Sequence, residues 1–168
     1  MDTASSAPSA PIPPIASRSD FHREIAKAFE RAAEQGCREI WLCDVDFADW
    51  PLGERAVVEA LTRWAYAHRR LTLLACHFDE VPRRHARWVN WRRDWGHVVE
   101  CLAFPDIERS QMPCFWFAPG LQAVRLVDPI RYRGFIDTAP ADLLRVNELV
   151  QELTARGVPA FPVTTLGL

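Results

Sequence analysis

Apolar positions recur along this chain in two rhythms. Phe21, Ile25, Ala28, Phe29 and Ala32 fall at helical spacing, and Gly36 ends the run. Ser19 or Asp20 stands where a helix cap is needed. Glu39 to Asp44 (EIWLCD) is then almost continuously apolar, which suits a strand covered on both faces. Val57, Val58, Leu61, Trp64 and Ala65 mark a second helix over about residues 54–68, and LTLLAC (71–76) a second strand. A loop with Pro82 leads into a third helix, Arg83 to Trp95. Gly96 stops it, and HVVECLAF (97–104) is a third strand. This alternation predicts right-handed crossovers in a parallel sheet. After Pro105 the rhythm changes. Cys114–Phe117 and Ala123–Val127 flank a Pro119–Gly120 turn, which reads as an antiparallel hairpin. Residues 130–140 read as irregular. Asp142 to Arg156 repeats Leu143, Leu144, Val146, Leu149, Val150 and Leu153 as a last amphipathic helix. The expected fold is α/β: a mixed, mainly parallel sheet with helices on both faces and a C-terminal antiparallel hairpin. It forms one domain over 18–168, with residues 158–168 as an apolar arm. Residues 1–17 are rich in Pro, Ala and Ser and are expected to be a disordered tail.

Composition narrows the function less than the fold. The chain has 168 residues, 49% hydrophobic and 25% charged, enough for one domain with a real core. A net charge of -2 gives no global attraction to nucleic acid or acidic membranes, so an anionic partner needs a local patch. No apolar run reaches the roughly 18 residues of a membrane span, and the N-terminus lacks signal-peptide organisation. The five cysteines are odd in number and form no CxxC pair, so they read as reduced core thiols of a cytoplasmic protein. Walker, GxGxxG and GxSxG patterns are absent, and no cofactor is expected. Lys27 is the only lysine; arginine supplies the other cations.

Three groups of residues carry candidate chemistry. The first is RRHARWVNWRRDW (83–95), where Trp88, Trp91 and Trp95 share one helical face with Arg84 and Arg92 at its edges. Such a face either docks on a sheet, with arginine stems over the rim, or stacks bases of an anionic partner. The second is the acidic turn holding Asp44, Asp46 and Asp49 after the first strand. Loops at strand C-termini line the ligand crevice of open α/β sheets. Asp residues there equally close turns through their own backbone. The third is His77 with Asp79 and Glu80 after the second strand, a set of hard ligands or a loop histidine bonded to backbone.

Two resemblances follow from these residues. The Asp44-x-Asp46 pair resembles the start of haloacid-dehalogenase-type phosphohydrolases, which implies a nucleophile and an acid/base around magnesium. That family also uses a later cation and a downstream acidic pair. Here Lys27 precedes the motif and Asp128 stands alone. The element order over residues 19–134, from EIWLCDVDF through LTLLAC and HVVECLAF to RLVD, resembles half of the phospholipase D superfamily fold. That family carries HxKxxxxD after the third crossover, with a nucleophilic His and a phosphate-binding Lys. Here Met112 and Cys114 fall where the pair would stand. The resemblance therefore implies a domain without phosphodiesterase activity, and domains of this size in that superfamily pair as homodimers. The layout is also similar to that of uncharacterised proteobacterial proteins. The leading expectation is a non-catalytic binding or assembly module for an anionic ligand or nucleic acid. Its candidate cations are Arg84, Arg92, Arg93, Arg109, Arg131 and Arg133. The alternative is a metal-dependent phosphohydrolase using Asp44 and Asp46, with His77. A third option is a structural partner that docks through its FPVTTLGL end.

Overall fold

A computed structural model describes residues 14–163. The first helix, α1 (Arg18–Gln35), begins at Ser17, whose Oγ accepts the Asp20 N–H at 3.0 Å. The cap is thus two residues earlier than the spacing suggested. Gly36 ends the helix in the left-handed region (φ 70°), and its N–H caps the Ala32 carbonyl. The chain then runs β1 (Glu39–Asp44), α2 (Arg55–Trp64), β2 (Arg70–Ala75), α3 (Glu80–Arg84), α4 (Ala86–Asp94) and β3 (Val99–Ala103). A short 3-10 turn at Arg109–Gln111 leads to β4 (Cys114–Ala118), β5 (Gln122–Asp128), β6 (Arg133–Asp137), α5 (Pro140–Arg156) and β7 (Val158–Pro159). No helix among the described residues is long and apolar enough to cross a membrane.

The seven strands form one mixed sheet in the order β6-β5-β4-β1-β2-β3-β7. Only β1–β2 and β2–β3 pair parallel; the other four pairings are antiparallel. The expectation of a mainly parallel sheet is corrected accordingly. A parallel crossover needs a dozen or more residues, usually a helix. Residues 119–121 and 129–132 are too few, so β5 and β6 must fold back on their neighbours. The predicted hairpin is present, but it joins the sheet beside β1 and carries β6 on its outer side.

Both faces of the sheet are covered. On one, α1, α2 and α4 bury Phe21, Ile25, Phe29, Leu61, Trp64 and Trp88 against Ile40, Leu42, Leu73 and Trp116. On the other, α5 sets Leu143, Val146, Val150 and Leu153 against Trp41, Phe115, Phe117 and Leu102. The alternation within β1 explains the split, since successive strand side chains point to opposite faces. The tryptophan helix takes the packing role. Trp88 is 0% and Trp91 6% exposed, and Trp95 packs partly buried against the same core.

Three local features depart from the sequence pattern. The helix expected over 83–95 is broken at His85 (φ -127°, ψ 49°) into α3 and α4. The buried His85 donates its Nε2–H to the Phe47 carbonyl at 2.7 Å, which ties the break to the loop after β1. Burial pushes its imidazole below the ordinary histidine value. Strand β6 lies in a stretch read as irregular, because RGFID offers one glycine, two charges and little alternation. Ile15, inside the expected disordered tail, is 2% exposed and bridges Gly134 through two backbone hydrogen bonds of 2.9 and 3.1 Å. Residues 14–17 therefore belong to the fold; the rest of the predicted tail lies outside the described residues. At the other end, Ala160 N–H bonds the Cys101 carbonyl, so the arm begins as β7 alongside β3. Its residues 164–168 lie outside the described range.

Gly134 sits where a Cβ would collide with the Arg125 carbonyl and press on the Leu126 Cα. Gly134→Ala is expected to cost about 2–3 kcal/mol, as overpacking does. Urea unfolding measures it; an unchanged midpoint would show that β6 shifts freely away from β5.

Candidate functional site

The strand register brings one set of loops together. Asp44 pairs with Ala75, and Ala75 with Ala103, so the three parallel strands end side by side. Cys43 faces Phe115, Cys114 faces Leu126 and Asp128 faces Arg133, which puts the start of β4 and the β5–β6 turn at the same end. This end gathers Asp44, Asp46, His77, Arg109, Arg131 and Arg133. A cavity of about 660 Å³ opens over its β2–β3 side, between Cys76, His77, Asp79, Glu80, Arg83 and Phe161.

Asp44 faces its own turn. Its Oδ2 accepts the Phe47 N–H at 2.8 Å and the Asp46 N–H at 3.2 Å. Burial raises its carboxyl above the ordinary value; the two N–H bonds oppose this. The turn needs the help, because Phe47 is held at φ 59°, in the left-handed region. Asp46 accepts the Ala48 N–H at 3.0 Å with Oδ1 and faces Arg109 Nη2 at 3.3 Å with Oδ2. The same guanidinium donates from Nη1 to His77 Nε2 at 3.2 Å. His77 Nε2 is then an acceptor, which leaves the ring proton on Nδ1, 3.6 Å from Asp79 Oδ2.

Asp46, Arg109 and His77 are thus linked in one chain of polar side chains, with Asp79 beside the imidazole. The acidic-site alternative is not assembled. No three His, Cys, Asp or Glu side chains among the described residues converge to hold a metal ion. Arg109 stands between Asp46 and His77. The sequence supplied all of these residues, but nothing local showed that Arg109, 63 residues beyond Asp46, would link them.

The thiols are not poised for chemistry. Cys114 and Cys43 are buried and pushed well above the ordinary thiol value by desolvation, with Asp44 adding to it. Cys101 rises to about 12 for the same first reason. Cys76 borders the cavity, is raised by burial, and directs its Sγ to the Ile107 carbonyl at 3.6 Å. Met112 is buried as well.

The six candidate cations do not make one surface. Arg84 is exposed and bonds Glu80 at 2.9 Å. Arg109 is engaged as described. Arg131 and Arg133 are exposed at the β5–β6 turn with no carboxylate partner among the described residues. Arg93 is exposed on α4, away from this end. Arg92 is only 5% exposed, its guanidinium 4.6 Å from the Phe161 ring centre and 5.9 Å from that of Trp88. Its expected place at an open helix edge is corrected. Residues 161–163 cover that edge, and helical periodicity says nothing of a segment some 70 positions later. Arg18 was not foreseen. It is exposed at the start of α1 and pulls the Tyr132 hydroxyl down, against the upward effect of burial.

No protein-family model and no curated protein matches this chain. Among solved structures it is similar to TrmBL2, an archaeal chromatin protein described as having a novel mode of DNA binding. The TM-score is 0.63 at 12% identity, over 94% of this chain and 57% of that one. At that identity the likeness is one of fold: an α/β domain spanning little more than half of the longer chain.

Asp44 can be tested by separating its charge from its acceptor. A carboxyl raised in the folded state contributes stability below its unfolded value and loses it as pH rises through the folded one. Asp44→Asn keeps an acceptor oxygen and is expected to match or exceed the parent in stability at pH 7, with less loss between acid and neutral pH. Asp44→Ala leaves two N–H groups without a partner and is expected to cost about 1–3 kcal/mol. Denaturant melts from pH 4 to 8 decide it; equal losses for both variants would mean the turn does not rest on that oxygen.

Proposed function

We propose that this chain is a non-catalytic phospholipase D-like domain that binds an anionic partner and assembles as a homodimer. The observation that carries the binding reading is the exposed trio Arg18, Arg131 and Arg133. Arg131 and Arg133 lie on the β5–β6 turn, Arg18 starts α1 three residues after the Ile15–Gly134 bridge, and none has a carboxylate partner among the described residues. The nearby guanidinium groups of Arg84 and Arg109 are already engaged with Glu80 and Asp46. Guanidinium groups without an internal carboxylate partner suit phosphate, which they recognise as planar forks. In the phospholipase D alignment of elements, Met112 and Cys114 occupy the positions of the catalytic pair. Both side chains are in the core, which supports a binding role for this end of the sheet. The fold shared with a DNA-binding chromatin protein makes duplex DNA the first partner to try.

Assembly rests on a second surface. Val127, Ile130 and Phe135 are exposed on the β5–β6 side, with Ile130 at 91%. Apolar side chains grouped in this way favour burial against another molecule, and a second copy is the partner the superfamily layout implies. The five free thiols suit a reducing compartment, so the reading includes a cytoplasmic location.

Fluorescence anisotropy with a labelled 20-base-pair duplex tests the binding. Three phosphate contacts give a slope of about -2.7 in log affinity against log salt. Arg131→Gln combined with Arg133→Gln is expected to flatten it by about two units and weaken binding roughly tenfold or more. Undetectable binding at low salt, or a double variant that binds like the parent, would remove the proposed surface.

Light scattering during size exclusion tests the assembly. The expected mass is twice that of the chain, falling to one chain with Ile130→Glu and Phe135→Glu. A monomer at high concentration would end the homodimer reading.

A further inference from the structure

We propose that the cavity at the ends of β2 and β3 binds a free amino acid with an apolar side chain, Asp79 taking its ammonium group and Arg83 its carboxylate. The cavity measures about 660 Å³ and lies beyond the last residues of two parallel strands. That is the size of a small-molecule site, and the place where open α/β sheets bind ligands. Part of its wall is apolar. Phe78 and Phe161 stack at 5.8 Å with ring planes 9° apart, and Ala103, Ala160 and Pro82 border the same space. Val163 lies against Gly96, ahead of β3, so the chain leads away from the cavity at its described end. Strands β4 and β1 separate the cavity from the β5–β6 turn, so it stands or falls independently of duplex binding.

Two charged groups on the border are open to solvent and only loosely neutralised. The Asp79 side chain is 84% exposed, and its basic partner among the described residues is His77 Nδ1 at 3.6 Å. An imidazole that accepts from Arg109 at Nε2 brings no charge to that carboxylate. Arg83 is 75% exposed and stands 3.7 Å from Glu80, whose other carboxylate oxygen takes Arg84 at 2.9 Å. Asp79 and Arg83 are not paired with each other among the described residues. Asp79 has helical backbone angles (φ -61°, ψ -31°) and α3 follows it, so the two side chains start one turn apart, about 5–6 Å between Cβ atoms. Opposite charges at that spacing, beside an apolar wall, complement a molecule with an ammonium and a carboxylate on one carbon and an apolar side chain. Arg83 offers the carboxylate a planar fork. A peptide separates its two end charges by up to about 3.3–3.6 Å for each residue added, which does not fit the pair. The other polar groups of the wall are spoken for. His77 Nε2 accepts from Arg109, its Nδ1 is inaccessible to solvent, and Cys76 directs its Sγ to the Ile107 carbonyl. Recognition therefore falls to Asp79 and Arg83.

The test is isothermal titration calorimetry of the full chain without nucleic acid, with L-phenylalanine and L-leucine as probes. Saturable binding of both is expected. Phenethylamine lacks the carboxylate of phenylalanine and hydrocinnamate lacks its ammonium group. Each is expected to bind roughly tenfold more weakly, the loss of one charge-assisted contact. Asp79→Asn and Arg83→Gln change exposed side chains, and circular dichroism checks that both variants fold. Arg83→Gln is expected to weaken phenylalanine roughly tenfold and to leave phenethylamine unchanged. Asp79→Asn is expected to weaken phenylalanine by a similar factor and to leave hydrocinnamate unchanged. This crossed pattern assigns each ligand charge to one residue, which an apolar crevice without charge recognition does not produce. The proposal is overturned if neither amino acid binds at millimolar concentration, if phenethylamine or hydrocinnamate binds as well as phenylalanine, or if the variants weaken all compounds alike.

Discussion

Burial of the central strand Glu39–Asp44 from both sides is the constraint on which the rest of this structure depends. Ile40 and Leu42 enter the core under α1, α2 and α4, while Trp41 and Cys43 enter the core under α5. A strand sealed on both faces can lose its backbone polarity only to neighbours in the sheet. It takes β2 in parallel on one side and β4 in antiparallel on the other. The carboxyl of Asp44, at the end of that strand, is drawn out of water with it. The backbone N–H groups of Asp46 and Phe47 make this tolerable. The most conspicuous acidic motif in the chain is therefore, at its first residue, a consequence of packing.

The charged end of the sheet is organised around what remains after internal pairing. Arg109 links Asp46 to His77, and Glu80 takes Arg84. Ion pairs this exposed add little stability, but they decide which cations stay available. Those left among the described residues include Arg18, Arg131 and Arg133, contributed by a helix start and a strand turn. The same distinction applies on α4. Arg93 remains outside, whereas Arg92 is closed in by Phe161 and leans on Trp88. The arginine-tryptophan segment thus acts first as a docking face for the sheet. The break at His85 lets it do so, because the hydrogen bond to Phe47 couples the turn of the chain to the loop after β1.

Much of the architecture was legible in the sequence for a physical reason. Helices carry a local periodicity of 3.6 residues, which the apolar stripes of α1, α2 and α5 follow, and strands buried on both faces read as nearly continuous apolar runs, as β1 and β2 do. Glycine and proline also mark ends locally, as Gly36 does through its left-handed conformation. Elements with a weak local signal escaped. Strand β6 has five residues with charges at both ends. Ile15 is a single apolar residue among prolines and alanines. β6 is held by its pairing with β5, and Ile15 joins it through the backbone bridge to Gly134.

The sequence by itself determined most of the helices and the buried strands, that the sheet is covered on both faces, and which residues are available for chemistry. Those properties depend on neighbours within a few turns. Tertiary structure alone decided that β4 lies against β1, that four of the six pairings are antiparallel, that Arg109 stands between Asp46 and His77, and that Arg92 is enclosed while Arg131 and Arg133 are free. Each of these rests on contact between residues tens of positions apart. Which side chain meets which is fixed only when both sheet faces have been closed, and no local pattern of apolar and polar positions records that meeting.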